Sequence, residues 1–405
     1  MISKVCKVFC LQVTLFLVCF AQSGIEVLST ELNEGAFSIR RMGESGFCFV
    51  GRKDTLANGY DAVLGVCGKA CKVFSVSSQG EDYSYTVELF GEKCVAGITT
   101  TFRGNMDLAL ATFGMRGVER VSCLGGAGED MLWYMKKVEG GYLAVGGVQE
   151  GNWDILILKL DTELRPLWVK RLGTRKEEYA YGVTEWKKGY LIVGRSNYRG
   201  NWDAFVMELD KSGKLLRGYL VGSNRKDYLR FISLWRGEPL AVGRTEGGKD
   251  SDVFILLPRS GLYRVYDGGE DDYGRAFSET PKGLVVVGDT YREGEPDGML
   301  LFLDEGLKVI AGYSVGGQDV ESIRFVDGNL IAGYTYSITL DNDMLLGRID
   351  MSCGSFVREK VFREVEVKME PYPFPVKEVP YKVVPVECEF EIRDVFFRTV
   401  DPCQE

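Results

Sequence analysis

A pattern repeated seven times limits the possible folds of this chain more than any other feature. It is clearest at Gly189–Gly213, where an apolar run ends in Gly, a polar loop leads to an Asp, and a second apolar run ends in a Gly-containing turn. The Gly recurs every 45 to 49 residues, at Gly51, Gly97, Gly146, Gly194, Gly243, Gly288 and Gly333. The Asp keeps nearly the same step, at Asp61, Asp107, Asp154, Asp203, Asp252, Asp297 and Asp343. Two independent landmarks with one period predict a repeat architecture.

Each copy contains four short segments of strand-forming residues. In the fourth copy these are Tyr179–Trp186, Tyr190–Gly194, Ala204–Leu209 and Leu215–Val221. Their apolar residues occupy both faces, as expected of sheets that are covered on both sides, and no helical pattern of 10–15 residues separates them. We therefore predict an all-β, seven-bladed β-propeller of four-stranded blades over residues 22–362.

The N-terminus predicts export. Lys4 and Lys7 precede the apolar run Val8–Phe20 and the small residue Ala21, which is the order of a secretory signal peptide. The run has about 13 residues, well short of the ~20 that a spanning helix needs. We predict a signal peptide at residues 1–21, no transmembrane segment in the mature chain, and a secreted, periplasmic or cell-surface location. Lipidation at Cys19 is the alternative, which the bulky Val18 disfavours.

Two segments compete to close the ring. Ile25–Thr30 and Ser355–Phe362 both resemble the fourth strand of other copies, and the sequence leaves open which of them completes the seventh blade. Residues 363–405 break the period and form a tail. Within it the Pro-containing Glu370–Pro385 predicts an extended segment on a surface, and Val386–Phe397 predicts a short strand. The tail is either a cap over the ring or a docking arm for an envelope partner.

Charge and composition exclude several functions. The net charge of −9 argues against a nucleic-acid partner, because phosphate binding requires clustered Lys and Arg. The chain contains no His, which excludes Ser-His-Asp and Cys-His catalysis, His-ligated zinc and an imidazole pH switch.

Eight cysteines remain after removal of the signal peptide, and an exported chain can form disulfides. Cys67 and Cys71 flank a predicted tight turn and can bridge it. Cys388 and Cys403 can close a loop in the tail. Cys48 and Cys94 occupy a core position that is Leu or Val in other copies, so small core residues are the expectation there. The partners of Cys123 and Cys353 cannot be deduced from the sequence.

A carboxylate precedes the innermost strand of most copies. The positions are Asp82, Asp130, Glu178, Asp227 and Asp272, with Asp319 at the corresponding point of the seventh copy. A ring of carboxylates around a central channel can hold Ca²⁺ or another hard cation, and we predict no other cofactor. The alternative is that each carboxylate accepts backbone N–H bonds in its own turn, which its repetition in every blade favours. We assign the Asp series that opens the third strands to folding for the same reason.

Aromatic and arginine residues cluster in the predicted loops between second and third strands. The candidates for ligand binding are Tyr60, Trp153, Tyr198, Trp202, Arg195 and Arg244. Flat apolar faces beside charged, forked donors are suited to a glycan or a peptide. The alternative is that the rings pack between blades and that the arginines pair with carboxylates.

The best copies resemble a known group. Gly140–Gly146 with Gly151–Asp154, and Gly189–Gly194 with Gly200–Asp203, resemble the exported β-propeller repeat proteins of bacteria and archaea, most of them uncharacterised. The resemblance implies an architecture and no activity. We expect a non-catalytic binding or scaffold protein of the cell envelope with an envelope protein or glycan as partner. The alternatives are a carbohydrate-active enzyme, a glycosidase or lyase that uses carboxylates on the propeller face, and a subunit of a surface layer.

Overall fold

The fold is known from a computed structural model. It describes residues 25–29, 32–44, 46–55, 59–78, 80–102, 104–337, 342–349, 357–386, 388, 391–395 and 398–400. All regular elements in these ranges are β-strands, and no helix among them is able to span a membrane. The predicted signal peptide, Cys353 and Cys403 lie outside the described residues.

The strands form seven sheets of five strands each. In blade order, the innermost strands are β2 (Glu34–Met42), β6 (Asp82–Phe90), β10 (Glu129–Val138), β14 (Glu178–Trp186), β18 (Asp227–Trp235), β22 (Asp272–Thr280) and β26 (Glu321–Asp327). The second strands are β3 (Gly46–Thr55), β7 (Lys93–Phe102), β11 (Gly141–Glu150), β15 (Gly189–Ser196), β19 (Glu238–Thr245), β23 (Gly283–Arg292) and β27 (Leu330–Thr335). The third strands are β4 (Gly59–Cys67), β8 (Asn105–Gly114), β12 (Asn152–Leu160), β16 (Asp203–Asp210), β20 (Asp252–Leu257), β24 (Glu295–Asp304) and β28 (Asp343–Arg348).

The two outer layers contain the first and the last described strands of the chain. The fourth strands are β5 (Cys71–Ser77), β9 (Gly117–Gly125), β13 (Pro166–Gly173), β17 (Leu215–Gly222), β21 (Leu262–Asp267), β25 (Val309–Val315) and β1 (Ile25–Ser29). The fifth strands are β34 (Glu391–Asp394), β33 (Val384–Val386), β32 (Lys377–Val379), β31 (Glu370–Pro373), β30 (Arg363–Glu364), β29 (Val357–Glu359) and β35 (Arg398–Val400).

These sheets are the blades of a seven-bladed β-propeller, as predicted. Consecutive innermost strands contact one another, and β26 contacts β2, which closes the ring. The strand from the N-terminus completes blade 7, because β1 pairs antiparallel with β28, from Ile25 opposite Gly347 to Leu28 opposite Met344. The sequence leaves two candidates for this strand, and the second, Ser355–Phe362, does not complete blade 7. Among its described residues, β29 pairs with β25 at the outer edge of blade 6.

The repeated Gly is explained by a β-bulge. In every blade the pairing of the first and second strands skips one residue of the innermost strand, as between Ala180 and Gly182 in blade 4. A Cβ on Gly194 would overlap the carbonyl oxygen of Tyr179, and the same overlap arises at the repeat Gly of every other blade except the second. In blade 2 a Cβ on Gly97 would instead overlap the side chain of Leu132. In the six blades other than the second, the Gly is required because the bulged backbone lies against its α-carbon.

The tail forms a belt around the ring, comprising the described residues from 357 to 400. Its seven short strands add to blades 6, 5, 4, 3, 2, 1 and 7 in turn, each antiparallel to the fourth strand. The prediction of an extended surface segment is confirmed, but the cap over the ring is wrong, because the belt lies at the outer edges. Each blade therefore has five strands instead of four, and its fourth strand is not an exposed edge.

The belt has its own period. Its strands begin at Val357, Arg363, Glu370, Lys377, Val384, Glu391 and Arg398, a step of seven residues after a first step of six. Seven extended residues span about 23 Å, and one such seven-residue unit of the belt corresponds to each blade. Buried apolar side chains recur at the same step, at Phe362, Met369, Val376 and Val383.

Three disulfides are present among the described cysteines. Cys67–Cys71 closes its turn, as predicted. Cys48 and Cys94 are buried, as expected, but they are bonded to each other and join blades 1 and 2, with a Cα–Cα distance of 6.5 Å. The predicted Cys388–Cys403 bridge is wrong, because Cys388 is bonded to Cys123. This third bond fastens the belt to blade 2 across a sequence separation of 265 residues.

We expect Gly194→Ala to destabilise the protein by about 3 kcal/mol, the upper end of overpacking effects, because the new methyl meets backbone that cannot rotate away. Chemical denaturation measures the change. Gly114→Ala is the matched control, since a Cβ there makes only ordinary contacts with Lys93. Equal stabilities of the two variants would contradict the role assigned to the bulge.

The belt should contribute to stability through its buried rings. Phe374 is buried and lies 5.3 Å from Phe205, measured between ring centroids. We expect Phe374→Ala to cost about 3 kcal/mol in thermal or chemical unfolding. Val361→Ala is the control, because Val361 is 70% exposed on the same belt. If both variants unfold like the unaltered protein, the belt detaches before the blades unfold and adds nothing to their stability.

Candidate ligand-binding site

The strand-opening carboxylates are bound into the turns between blades. Asp82, Asp130, Glu178, Asp227 and Asp272 are fully buried, and each accepts the backbone N–H of the residue four positions earlier, at 2.5–2.9 Å. That residue directly follows the fourth strand of the preceding blade. Each carboxylate therefore joins two blades, and this geometry matches the turn-acceptor interpretation.

A hydroxyl group completes these sites. Ser196 donates to Glu178 at 2.9 Å from the second strand of the same blade, and Thr245 stands at the same position beside Asp227. Blade 3 has Val148 at this position. There the belt supplies the donor, because the Tyr381 hydroxyl lies 2.8 Å from Asp130 Oδ1.

The seventh blade differs from the prediction. Asp319 is exposed, and the equivalent buried carboxylate is Glu321, which accepts from Gly317 N at 3.1 Å and from the Thr335 hydroxyl at 2.6 Å. Blade 1 has Glu34 at the same point. The two-residue error arose because the sequence around Asp319 also has a turn composition.

None of the predicted metal ligands is in a group of three close carboxylates. Within the part of the chain that the structure describes, one group of three carboxylates is close enough to share a metal ion. It lies in blade 5, where carboxylate oxygens of Asp250, Asp252 and Asp267 are within 4.8 Å of one another. Cation binding by Asp82, Asp130, Asp227, Asp272 or Asp319 stays a prediction.

The predicted aromatic and arginine residues form stacks around one mouth of the channel. Arg195 lies between rings, with its Cζ atom 4.3 Å from the Trp202 centroid, 4.9 Å from that of Tyr179 and 4.8 Å from that of Tyr228. Arg244 lies in the same way between Tyr228 and Tyr273, at 4.7 and 4.2 Å.

Of the three remaining candidates for ligand binding, two belong to the stacks at the mouth and one does not. Tyr60 stacks on Arg52, whose Cζ lies 4.0 Å from its ring centroid, and Trp153 packs against Trp133 with their centroids 6.4 Å apart. Tyr198 is 41% exposed and belongs to none of these stacks. The structure thus brings together five of the six predicted ligand-binding residues around the mouth, while their role in binding stays a prediction.

A cavity of about 190 Å³ lies inside this mouth, in the central channel. Its wall is formed by the bulged residue of every innermost strand, which the bulge turns toward the channel. These residues are Phe37, Tyr85, Trp133, Tyr181, Arg230, Arg275 and Arg324.

Three rings close the channel farther along the innermost strands. Tyr134, Phe231 and Phe325 come from blades 3, 5 and 7, and their centroids lie 5.4–6.3 Å apart. Arg40 supports this floor, because it donates to the Tyr134 hydroxyl at 3.0 Å and forms a buried ion pair with Glu88 at 2.9 Å. We call the wall and floor together the cup. It opens at the end where the innermost strands begin.

Sequence reasoning missed the wall of the cup, although a signal was present. Every wall residue stands three positions after the strand-opening carboxylate. This position is aromatic in the first four copies and Arg in the last three. Such a break in the symmetry of a repeat indicates a specific site.

Comparison with known proteins identifies one relative at significant identity. No family model matches the chain. The chain is 35% identical over 342 residues to an uncharacterised protein of Aquifex aeolicus (strain VF5), a match that covers 84% of this chain and 93% of the relative. The two proteins belong to one family.

The solved structures that match the chain are much more distant in sequence. Sqt1 from Chaetomium thermophilum is 9% identical, with a TM-score of 0.49 over 79% of this chain and 97% of its own. A putative 6-phosphogluconolactonase from Bacteroides uniformis is 11% identical, with a TM-score of 0.45 over 88% of this chain and 100% of its own.

The strand-opening carboxylates predict an unusual pH dependence. Burial raises the pKa of Asp130, Glu178, Asp227 and Asp272 to about 7. In the unfolded chain these groups titrate near pH 4. Between pH 4 and 7 the native state therefore binds more protons than the unfolded state, and these groups make the free energy of unfolding fall as the pH rises.

We expect Asp227→Asn to reduce this dependence, which is measured as the difference in melting temperature between pH 5 and pH 8. Asp210→Asn is the control, because hydrogen bonds from Ser212 and Lys214 lower the pKa of Asp210, so that it does not titrate in this range in either state. An unchanged pH dependence in Asp227→Asn would contradict the assignment.

Proposed function

We propose that this protein is an exported, non-catalytic binding protein of the cell envelope, and that a small ligand enters the cup. The observation that supports the proposal best is the cup itself. It is closed at one end, lined by aromatic rings and guanidinium groups, and placed where the repeat loses its symmetry. Concave, largely preformed sites with a few polar groups are typical of ligand pockets.

The stacks at the mouth support the same proposal. Arg195 and Arg244 are each held between aromatic rings, so the entrance is rigid and contains positive charge. A preorganised entrance loses little conformational entropy when a ligand binds. An envelope glycan remains a candidate partner, since rings and forked donors are suited to sugars.

Export has two lines of support. The charged, apolar and small-residue order of the N-terminus is that of a signal peptide. The three disulfides are of the kind that persists in oxidising compartments.

No observation favours the enzyme alternative. Glycoside hydrolysis uses two carboxyl groups about 5–10 Å apart around the substrate. Among the described residues, the carboxylate beside the cup wall is Asp289, which is ion-paired with Arg275. The strand-opening carboxylates are already hydrogen bonded within their turns.

The test is a ligand screen of the full mature chain. We expect at least one compound to raise the melting temperature, to change the fluorescence of Trp133 in the wall, and to be recovered unchanged by mass spectrometry. Tyr85→Ala should weaken binding, whereas Tyr313→Ala, on the outer fourth strand of blade 6, should not. Trp133→Phe identifies the part of the signal that comes from the cup.

Two results would contradict the proposal. A compound that is recovered chemically altered would favour the enzyme. Binding that is equal in Tyr85→Ala and the unaltered chain would place the ligand outside the cup.

A further inference from the structure

The wall of the cup is divided into two arcs. Blades 1 to 4 contribute aromatic rings and blades 5 to 7 contribute arginines, and because the blades follow chain order, each set is contiguous. The arcs meet at two points. Arg230 Cζ lies 4.2 Å from the Tyr181 centroid, and Arg324 Cζ lies 5.5 Å from that of Phe37.

The charge of the arginine arc is not balanced by carboxylates. Arg275 is ion-paired with Asp289 through Nε at 2.8 Å, and Asp289 also accepts the Ser322 hydroxyl. Within the described part of the chain, Arg230 and Arg324 form no ion pair with a carboxylate.

Desolvation and mutual repulsion destabilise the charged forms of Arg230 and Arg324. Desolvation and the neighbouring Arg275 lower the pKa of Arg230, and they lower that of Arg324 to about 10. Three guanidinium groups thus converge on one cavity with a single counter-charge. Arg230 and Arg324 are half-buried. A partly desolvated charge without a counter-ion is unfavourable, and an anion bound in the cup would offset this cost.

The opposite arc suits a flat ring. The Phe37 and Tyr85 centroids lie 5.0 Å apart, and those of Trp133 and Tyr181 lie 5.2 Å apart. The cavity of about 190 Å³ is somewhat larger than an apolar cavity of ~150 Å³ that binds benzene. It therefore accommodates one ring with a substituent rather than a chain of rings.

We propose that the ligand is a small molecule with one ring and one anionic group, a carboxylate or a phosphate, whose ring lies on the aromatic arc and whose anion lies between Arg230 and Arg324. This inference rests on the proposed function and specifies its ligand. Guanidinium groups bind both anions through paired N–H donors, and flat rings stack on aromatic side chains.

Calorimetry with matched pairs tests the inference on the full mature chain. The probes are benzoate against benzyl alcohol, glucuronate against glucose, and phenyl phosphate as the phosphate arm. We expect at least one anion to bind more than tenfold more tightly than the matching neutral compound. Comparing the affinities for the carboxylates and for phenyl phosphate then identifies the preferred anionic group. Raising the salt concentration should weaken binding of the anion only modestly, because the arginines are half-buried inside the cup and partly shielded from dissolved ions.

Variants separate charge from folding. Arg230→Gln and Arg324→Gln should each lower the affinity for the anion by about tenfold or more and remove the preference for the anion over the matching neutral compound. Arg217→Gln, an exposed arginine on the outer part of blade 4, is the control and should bind like the unaltered chain. Because Arg324→Gln removes an unpaired charge, its melting temperature without ligand should be unchanged or higher, which shows that the loss of binding is not a loss of fold.

The outcomes distinguish this inference from the proposed function. If the matching neutral compounds bind in the cup as tightly as the anions, the inference is overturned and the binding function stands. If no anion binds while the general screen finds a ligand that Tyr85→Ala weakens, the anionic class is likewise excluded. If binding persists in both glutamine variants, the site is not the arginine arc.

Discussion

The close approach of two backbones in six of the seven blades is the constraint on which the rest of the structure depends. The bulge in the innermost strand brings a carbonyl group against the repeat Gly of the second strand, as at Tyr179 and Gly194. A side chain at the Gly would force the strands apart. The same bulge turns one residue per blade, Tyr181 in blade 4, toward the channel. One local irregularity therefore explains both the period of the sequence and the lining of the cup.

Closure of the ring is achieved twice. The N-terminal strand completes blade 7 through β28, and the belt then pairs with the outer edge of every blade, ending on β1 itself. A propeller with four-stranded blades leaves seven edges with unpaired backbone groups, which are sites for association with other chains. Here the belt covers these edges. The disulfide between Cys123 and Cys388 holds it in place.

Symmetry separates the groups that stabilise the fold from those that we propose to bind a ligand. The strand-opening carboxylates occur in all seven blades, and in blades 2 to 7 each accepts the backbone N–H of the residue four positions earlier, as Asp227 does from Ser223. The wall position of the cup is aromatic in one arc and Arg in the other. A group that stabilises the turn of every blade is repeated in every copy of the sequence. A ligand with chemically different parts needs different side chains on the two sides of its pocket.

The sequence by itself determined the seven blades and their turns, because these follow from local strand and turn patterns that repeat. Which of two candidate segments closes the ring was decided by the pairing of β1 with β28. Only the tertiary structure showed that the cup exists and which residues line it. A bulge turns the side chain of Arg230 or Tyr181 toward the channel without changing the residue pattern around it. The tertiary structure also decided the belt, whose strands of two to four residues are too short to predict singly. The Cys123–Cys388 bond joins residues 265 positions apart, and only the path of the belt brings them together.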